Sequence, residues 1–493
     1  MIERIKNKEL AEKVMDPIDA VKKYFPKDGV IAFGGMAGTA IPKVIPRAIN
    51  KYLSLVGEKL GPYIVFTSGS VTLEFDDNIM SLPIERKYPV VGGTSKLMKD
   101  LANKRVIKGF DMWLFDFYRQ IGRGVFKRKF GNIKLAIIEI SEILEDSTIV
   151  PSLSLDASPA FIEDAEKVIF ELNTARPNLE GLHDIYFPKL GEPIPIKAPM
   201  DRIGNKGFKI SPDKIAAIVY SNEEDSQQMH YSAVTQTDYK VISNLLEFLN
   251  KEISEDPNLR SDKVTIQPGA GPIASALARK INELSFSFHV WGEVCPTSWI
   301  PLLSENLKGI STSVIYTLPG ENEFKNNFYN NMEDYKKYIV IRPYEITNNA
   351  EIINRFIHIN IQQALEVDIF GNVNISRVGN YLYGGVGGSG DHAKPAYLTI
   401  IAINSTTSSG ISKIVPLVSH VDIVEQDVDV IVTEYGYADL RFLSPLERAK
   451  KIIENCVHPK FKSEFEKYIE NIEKMQGYEP VDFQEALKFR SKA

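Results

Sequence analysis

The chain has 493 residues, 44% of them hydrophobic and 25% charged, with a modest net charge of −6. This composition is that of a soluble globular protein too long for one ordinary core, so at least two domains are expected. There is no basic footprint for nucleic acid, no apolar run of eighteen residues for a membrane, and no metal-ligand spacing among the seven histidines. The two cysteines, Cys295 and Cys456, are too far apart for a disulfide framework. The mixed-charge start MIERIKNKELAEKVMD is unlike a targeting peptide, and a cytoplasmic protein is expected.

Residues 7–25 read as helical, with Leu10, Val14, Ile18 and Val21 on one face. Gly29–Phe33 reads as a strand, followed by the glycine turn GGMAGTA and a helix over IPKVIPRAINKYL. Further strands are expected at Pro62–Thr67, which ends on Ser68-Gly69-Ser70, at Ile133–Ile140 and at Lys167–Leu172. Lys189–Lys206 is rich in Pro, Gly and charge and marks a linker or an exposed excursion. Ile215–Tyr220 then starts a new strand, so the division expected is 1–214 and 215–493.

The second half opens on KVTIQPGAGPIASALARKINELSFSFHVWGEV. Lys263–Gln267 reads as a strand, Gly269-Ala270-Gly271 as a tight turn and Pro272–Leu284 as a helix with Pro at its start. Phe286–Trp291 is a second strand that delivers Glu293 at its C-terminal end. In open α/β sheets ligands gather at that end, where glycine backbone N–H groups and the helix dipole suit phosphate or a developing oxyanion. Three readings fit: a dinucleotide site on Gly269-x-Gly271-x-x-Ala274, a carboxylate nucleophile at Glu293 beside a bound coenzyme, or a structural turn with a solvated acid. The two strand–glycine turn–helix units imply two α/β halves of one design.

Beyond it, Ser311–Thr317 and Tyr338–Arg342 read as strands, Thr347 as an N-cap and Ile357–Ile361 as another strand before the turn Gly371-Asn372. The run Gly384–Asp391 carries five glycines in seven residues. Such a loop costs backbone entropy to order, so close approach to a ligand is the expected reason for it. The strands Ala396–Ile403 and Val428–Thr433 follow, the latter leading into Glu434–Arg441, where Asp439 and Arg441 read as a structural pair. A helix begins at Ser444-Pro445-Leu446-Glu447, a capping box with Pro at its first position.

Four of these pieces in this order, GAG before its helix, VWGEV, ALEVDIFGNVN…GGVGGSGD and VTEYGYADLRFLSPLERA, together with GGMAGTAIPKVIPRAI, resemble the acetyl-CoA hydrolase/transferase family of class I CoA-transferases. The resemblance covers nearly the whole chain and implies two α/β/α domains of the CoA-transferase (NagB/RpiA-like) fold with the active site between them. It puts the family's catalytic glutamate on Glu293, its oxyanion positions on Asn348 and Gly388, and its coenzyme A contacts on Gly269, Ala270, Gly271, Pro272, Ile273, Gly388 and His392. The carboxylate pocket falls on Ser70, Thr94 and Glu434. Coenzyme A as substrate and product, an acyl-CoA and a carboxylate as small-molecule partners, and a homodimer are implied, with no metal and no redox nucleotide.

Two departures accompany the resemblance. The family's carboxylate-gripping arginine has no counterpart in the loop SNEEDSQQMH, since no Lys or Arg occurs from Ile215 to Tyr239, leaving His230 as a partial substitute. A family lysine that meets coenzyme A phosphates corresponds to Ser408, with Lys413 as its displaced equivalent. The expected activity is acyl-CoA:carboxylate CoA-transfer through Glu293, with acyl-CoA hydrolysis by the same residue as the alternative. A nicotinamide-dependent dehydrogenase leaves both late motifs unexplained, and a dead coenzyme A-binding protein leaves Glu293 unexplained. Cys295 lacks a His–Asn/Asp constellation in the sequence and reads as a buried small residue.

Overall fold

The structure, a computed structural model, describes residues 4–55, 60–90, 95–226, 232–259, 264–284 and 286–491. The first sheet contains β1 (Gly29–Phe33), β2 (Tyr63–Thr67), β3 (Ile84–Tyr88), β4 (Ile133–Ile143), β5 (Ile149–Pro151), β6 (Lys167–Asn173) and β7 (Ile215–Ser221). Its order is β3-β2-β1-β4-β6-β7, parallel throughout, with β5 antiparallel on β4. The second sheet contains β8 (Val264–Gln267), β9 (Phe288–Pro296), β10 (Leu307–Tyr316), β11 (Ile339–Ile341), β12 (Ile359–Gln362), β13 (Leu398–Ala402), β14 (Val430–Thr433) and β15 (Gly436–Asp439). These run β11-β10-β9-β8-β12-β13-β14-β15, and only the last pair is antiparallel. Interior strands such as IKLAIIEISEI are buried on both faces, as in a parallel sheet covered on both sides.

The two sheets are wound alike. Each starts at an interior strand, grows outward on one side, and then reverses to the other. Topological switch points therefore fall between β1 and β4 and between β8 and β12, and a glycine turn leaves β1 and β8 at those points. The expected helices follow both turns, at Val44–Leu55 and Pro272–Ala278. The second stops short of Leu284, because Lys280 N and Glu283 N tighten onto Leu277 O and Lys280 O in i→i+3 bonds. The N-terminal helix likewise divides into Lys8–Ala11 and Pro17–Tyr24, since Pro17 disfavours helix in the residue before it and Asp16 caps the second piece.

The expected division at residue 214 is corrected by sheet membership. Ile215–Ser221 pairs parallel with Lys167–Asn173 and is the edge strand of the first sheet, so the sheet changes only between Ser221 and Val264. The Pro- and Gly-rich excursion misled because its composition marks a loop and says nothing of which sheet the next strand joins. That excursion is mostly exposed, as expected, and forms a strap over the second half. Arg342 Nη2 donates to Pro199 O, Arg355 Nη1 donates to Ile196 O at 2.6 Å, and Ile194 and Ile196 pack with Trp291, Ile346 and Ile353.

Residues 153–155 and 182–184 tie the halves together. Leu155 N donates to Ser313 O, Ile315 N to Leu153 O and Ile341 N to Leu182 O, and the buried Arg342–Asp184 pair closes the seam. One continuous hydrophobic core includes β4 and β6 from one sheet and β8, β9 and β10 from the other. No helix among the described residues is long and apolar enough to cross a membrane.

Candidate active site

A cavity of about 340 Å³ opens where the two switch points face each other. Met36–Gly38 after β1, Gly69–Val71 after β2, Gly269 and Ala270 after β8, Glu293, and the glycine run 384–389 line it.

Glu293 lies inside a nine-residue strand, not at its end as expected. The sequence cannot show that β10 carries the ladder on to Pro296, while pairing with β8 is over at Val290. The carboxylate therefore emerges beyond the end of β8 while its backbone stays clamped by β10. It is 7% exposed. Burial pushes its pKa up to about 8, against the lowering effect of an Asn348 hydrogen bond, and the Asp391 charge adds to the rise.

Asn348 closes the short helix Tyr344–Thr347, and the cap of the following helix is Asn349, not Thr347 as expected. Its Oδ1 accepts from Thr347 Oγ1 at 2.8 Å, which turns its amide NH₂ toward two carboxylates. Nδ2 donates to Glu293 Oε2 at 2.9 Å and to Asp391 Oδ2 at 3.1 Å. Gly388 caps the helix Ser389–Ala393 and presses against the same pair, so that a Cβ there would collide with Glu293 Oε2 and Asn348 Nδ2. His392 lines the cavity with its Nδ1 2.9 Å from Gly388 O, and burial lowers its pKa to about 4, so it is neutral at neutral pH.

The turn after β8 departs from expectation. Gly269 and Gly271 adopt φ of +73° and +81°, and a Cβ on Gly269 would stand 2.7 Å from Ile361 O, so these positions need glycine. Their N–H groups are not open to a phosphate, however. Gly269 N donates to Gln267 Oε1 at 2.8 Å and Gly271 N to the Tyr316 hydroxyl at 2.9 Å. Of the five expected coenzyme contacts here, Gly269 and Ala270 line the cavity, while Gly271, Pro272 and Ile273 lie buried behind them.

Ser70 lines the cavity, and Thr94 lies outside the described residues, as does His230. Glu434 is not brought to the cavity. It accepts from Ser405 N at 2.8 Å and Ser405 Oγ at 2.7 Å, because β14 lies three sheet positions away from β8. Lys413 faces Glu434, Asp238 and Glu366, with burial lowering its pKa to about 8, and is also absent from the lining. No Lys or Arg lines the cavity among the described residues. Nor, among them, is any group of three or more His, Cys, Asp or Glu placed to hold a metal ion.

Asp439 and Arg441 do pair, through Nε–Oδ1 at 2.9 Å and Nη2–Oδ2 at 2.6 Å, and Arg441 extends the network to Glu252. Cys295 is buried, and its pKa is pushed well up, which leaves it a poor nucleophile. Sequence reasoning missed Asp111, Gln267, Gln362 and Asp391. Asp391 closes the glycine-rich motif and was in plain view; for the others neither spacing nor composition gave a signal.

This arrangement can hold a buried carboxylate nucleophile beside an amide donor and a glycine backbone. Sequence models of the acetyl-CoA hydrolase/transferase N-terminal and C-terminal domains match residues 2–223 and 325–469. A succinyl-CoA:acetate CoA-transferase from Clostridium kluyveri is 36% identical over 498 residues, spanning 99% of this chain and 90% of that protein. An acetyl-CoA hydrolase from Schizosaccharomyces pombe is 34% identical, over 99% of this chain and 96% of its own length. The solved 4-hydroxybutyrate CoA-transferase from Porphyromonas gingivalis superposes with a TM-score of 0.66 at 19% identity, covering 94% of this chain and 98% of that one, and shares the fold. The chain belongs to the acetyl-CoA hydrolase/transferase family and is an enzyme of that kind.

Proposed function

We propose that the protein moves coenzyme A between an acyl-CoA and a carboxylate through a glutamyl-CoA thioester on Glu293. The observation that carries this reading is the buried Glu293 carboxylate, with Asn348 Nδ2 at 2.9 Å and Gly388 against it, at the wall of the cavity between the two halves. A Glu293 oxygen adds to the thioester carbonyl, the C–S bond breaks, and an acyl-glutamyl anhydride and coenzyme A thiolate result. The thiolate then adds to the Glu293 carbonyl, the anhydride C–O bond breaks, and the first carboxylate leaves. A second carboxylate reverses the two steps and carries coenzyme A away. An alcohol nucleophile would not serve, because an ester loses the activation that the anhydride keeps.

Each addition places negative charge on a carbonyl oxygen, and Asn348 Nδ2 and the Gly388 N–H are the donors assigned to it. Such a donor is worth about 3–4 kcal/mol when removed from comparable sites. Gly269 and Ala270 border the coenzyme and Ser70 the acyl carboxylate. With no cation among the described lining residues, the carboxylate is held there by neutral donors.

Hydrolysis is the second reading, in which water instead of a carboxylate resolves the thioester. It is favoured by the lack of a cation among the described lining residues, which weakens the acceptor's hold. The test is intact and peptide mass spectrometry after mixing the protein with acyl-CoAs and no acceptor, beside Glu293→Ala. A coenzyme A adduct on the peptide bearing Glu293, absent from the variant, supports transfer. Steady coenzyme A release by wild type alone supports hydrolysis, and neither result with any donor overturns both.

A further inference from the structure

The two donors assigned to the oxyanion both belong to the second half, yet what holds them comes from the first. The helix Leu114–Gly122 begins without a side-chain cap of its own. Its first N–H groups, which have no partner within the helix, reach across the junction. Leu114 N donates to Gly387 O at 3.2 Å, and Phe115 N donates to Asp391 Oδ2 at 3.1 Å. Just before the helix, Asp111 Oδ2 accepts from Val386 N at 3.1 Å. Gly390 packs so closely on the Trp113 ring that a Cβ there would overlap it.

Each bond sets an element of the site. Gly387 C=O and Gly388 N–H share one planar trans peptide and point in opposite directions. Fixing the carbonyl on Leu114 therefore fixes the direction of the Gly388 N–H, away from the helix. Asp391 Oδ2 accepts from both Phe115 N and Asn348 Nδ2, so one hydrogen of the Asn348 amide is spoken for and the other is aimed at Glu293.

We propose that Asp391, seated on the start of the helix Leu114–Gly122, is a positioning residue that holds Asn348 beside Gly388 in an oxyanion site built across the junction of the two halves. Asp391 is not in the chemical step. It acts through Asn348, and the hole is complete only while the halves are docked. The inference rests on the glutamyl-thioester reading.

The test measures the rate of Glu293 adduct formation, and separately the affinity for coenzyme A by calorimetry, in Asp391→Ala, Asp391→Asn and Gly390→Ala. Asp391→Ala frees the amide and is expected to slow adduct formation by about 10²–10³-fold, the loss typical of an oxyanion donor, with affinity for coenzyme A within about twofold. Asp391→Asn can present one oxygen to both donors and is expected to restore the rate to within about tenfold of wild type, at the level of a hydrogen bond that has lost its charge. Gly390→Ala pushes on the Trp113 ring and is expected to slow the reaction at least about tenfold, because small misplacements of donors are costly.

Adduct formation at the wild-type rate in Asp391→Ala, or in Gly390→Ala should Asp391→Ala fail to fold, overturns the positioning role alone. Loss of coenzyme A affinity in step with the rate makes Asp391 a structural cap and also overturns it. Absence of a Glu293-dependent adduct in wild type removes the reading underneath, and this inference falls with it.

Discussion

Asn348 Nδ2 lies 2.9 Å from Glu293 Oε2 while burial holds that carboxyl group largely protonated near neutral pH. The pair thus has two states. A neutral glutamic acid is the cheaper form at this buried position, and a carboxylate is the reactive one. Asn348 stabilises the ionised form, and Asp391, on the other side of the same amide, opposes it.

The first consequence is a pH dependence of rate. With the Glu293 pKa at about 8, the ionised fraction in the free enzyme falls tenfold for each unit below that value. kcat/KM for an acyl-CoA is expected to climb from pH 6 with a slope near one and to level off around pH 8. Asp391→Asn removes the neighbouring charge and is expected to move this limb to lower pH. A kcat/KM profile flat from pH 6 to pH 9 in wild type would contradict the assignment.

The second consequence is for stability, and its sign is opposite. A carboxyl group near 4.3 in the unfolded chain and near 8 in the folded one binds more protons when folded. Its stabilising contribution is complete below about pH 4 and is lost as pH rises through 8. Glu293→Gln keeps the shape and cannot ionise. Its apparent Tm is expected to exceed that of wild type by a few degrees at pH 8, and the gap should shrink toward pH 5. Asp111, Asp391 and Glu345 are also pushed up to about 7, so the wild-type curve alone would not isolate Glu293, and the difference between the two proteins does.

Most of the second sheet was legible because each strand carries its own apolar run and each glycine turn its own backbone demand. Glu293 was singled out as an acid near the exit of an apolar strand, but its residues alone left a solvated acid equally open, and its role came from the family resemblance. What stayed hidden depends on partners distant in sequence. Tyr316 and Gln267 cap the turn donors that looked free, β10 extends the strand past Glu293, and Ile215–Ser221 joins a sheet that its own residues cannot specify. Glu434 was assigned by resemblance of a motif, and its bonds to Ser405 show why a strand-end acid can instead serve to fix a neighbouring loop.

Arg441 offers a control outside the cavity lining. It bridges Asp439 on β15 and Glu252 on the helix Gln236–Glu255, fastening the edge of the second sheet to its covering helix. Arg441→Ala strands two carboxylates at a partly exposed seam and is expected to cost about 1–2 kcal/mol. Thermal unfolding should show the loss, while KM and kcat at a temperature well below Tm stay within about twofold. A large fall in kcat in a folded variant would place this network closer to the site than its contacts do.

Gly388 and Gly387, one residue apart, separate two meanings of glycine. Gly388 has a φ of −102°, a conformation open to any residue, so its backbone does not demand glycine. The demand comes from space, since an added Cβ would strike both Glu293 and Asn348. Gly387 is the reverse case. Its φ of +56° is left-handed, and a Cβ there would meet nothing within 4 Å. Gly388→Ala is therefore expected to lower kcat by more than about 10²-fold with little change in Tm, because it displaces both the nucleophile and its donor. Gly387→Ala is expected to cost about 1–2 kcal/mol of stability through backbone strain, with kcat kept within about tenfold. Paired kinetics and melting curves decide the matter. If the two variants exchange these behaviours, the collision at Gly388 is relieved by movement of the loop, and the close packing of glycine, amide and carboxylate is not what sets the rate.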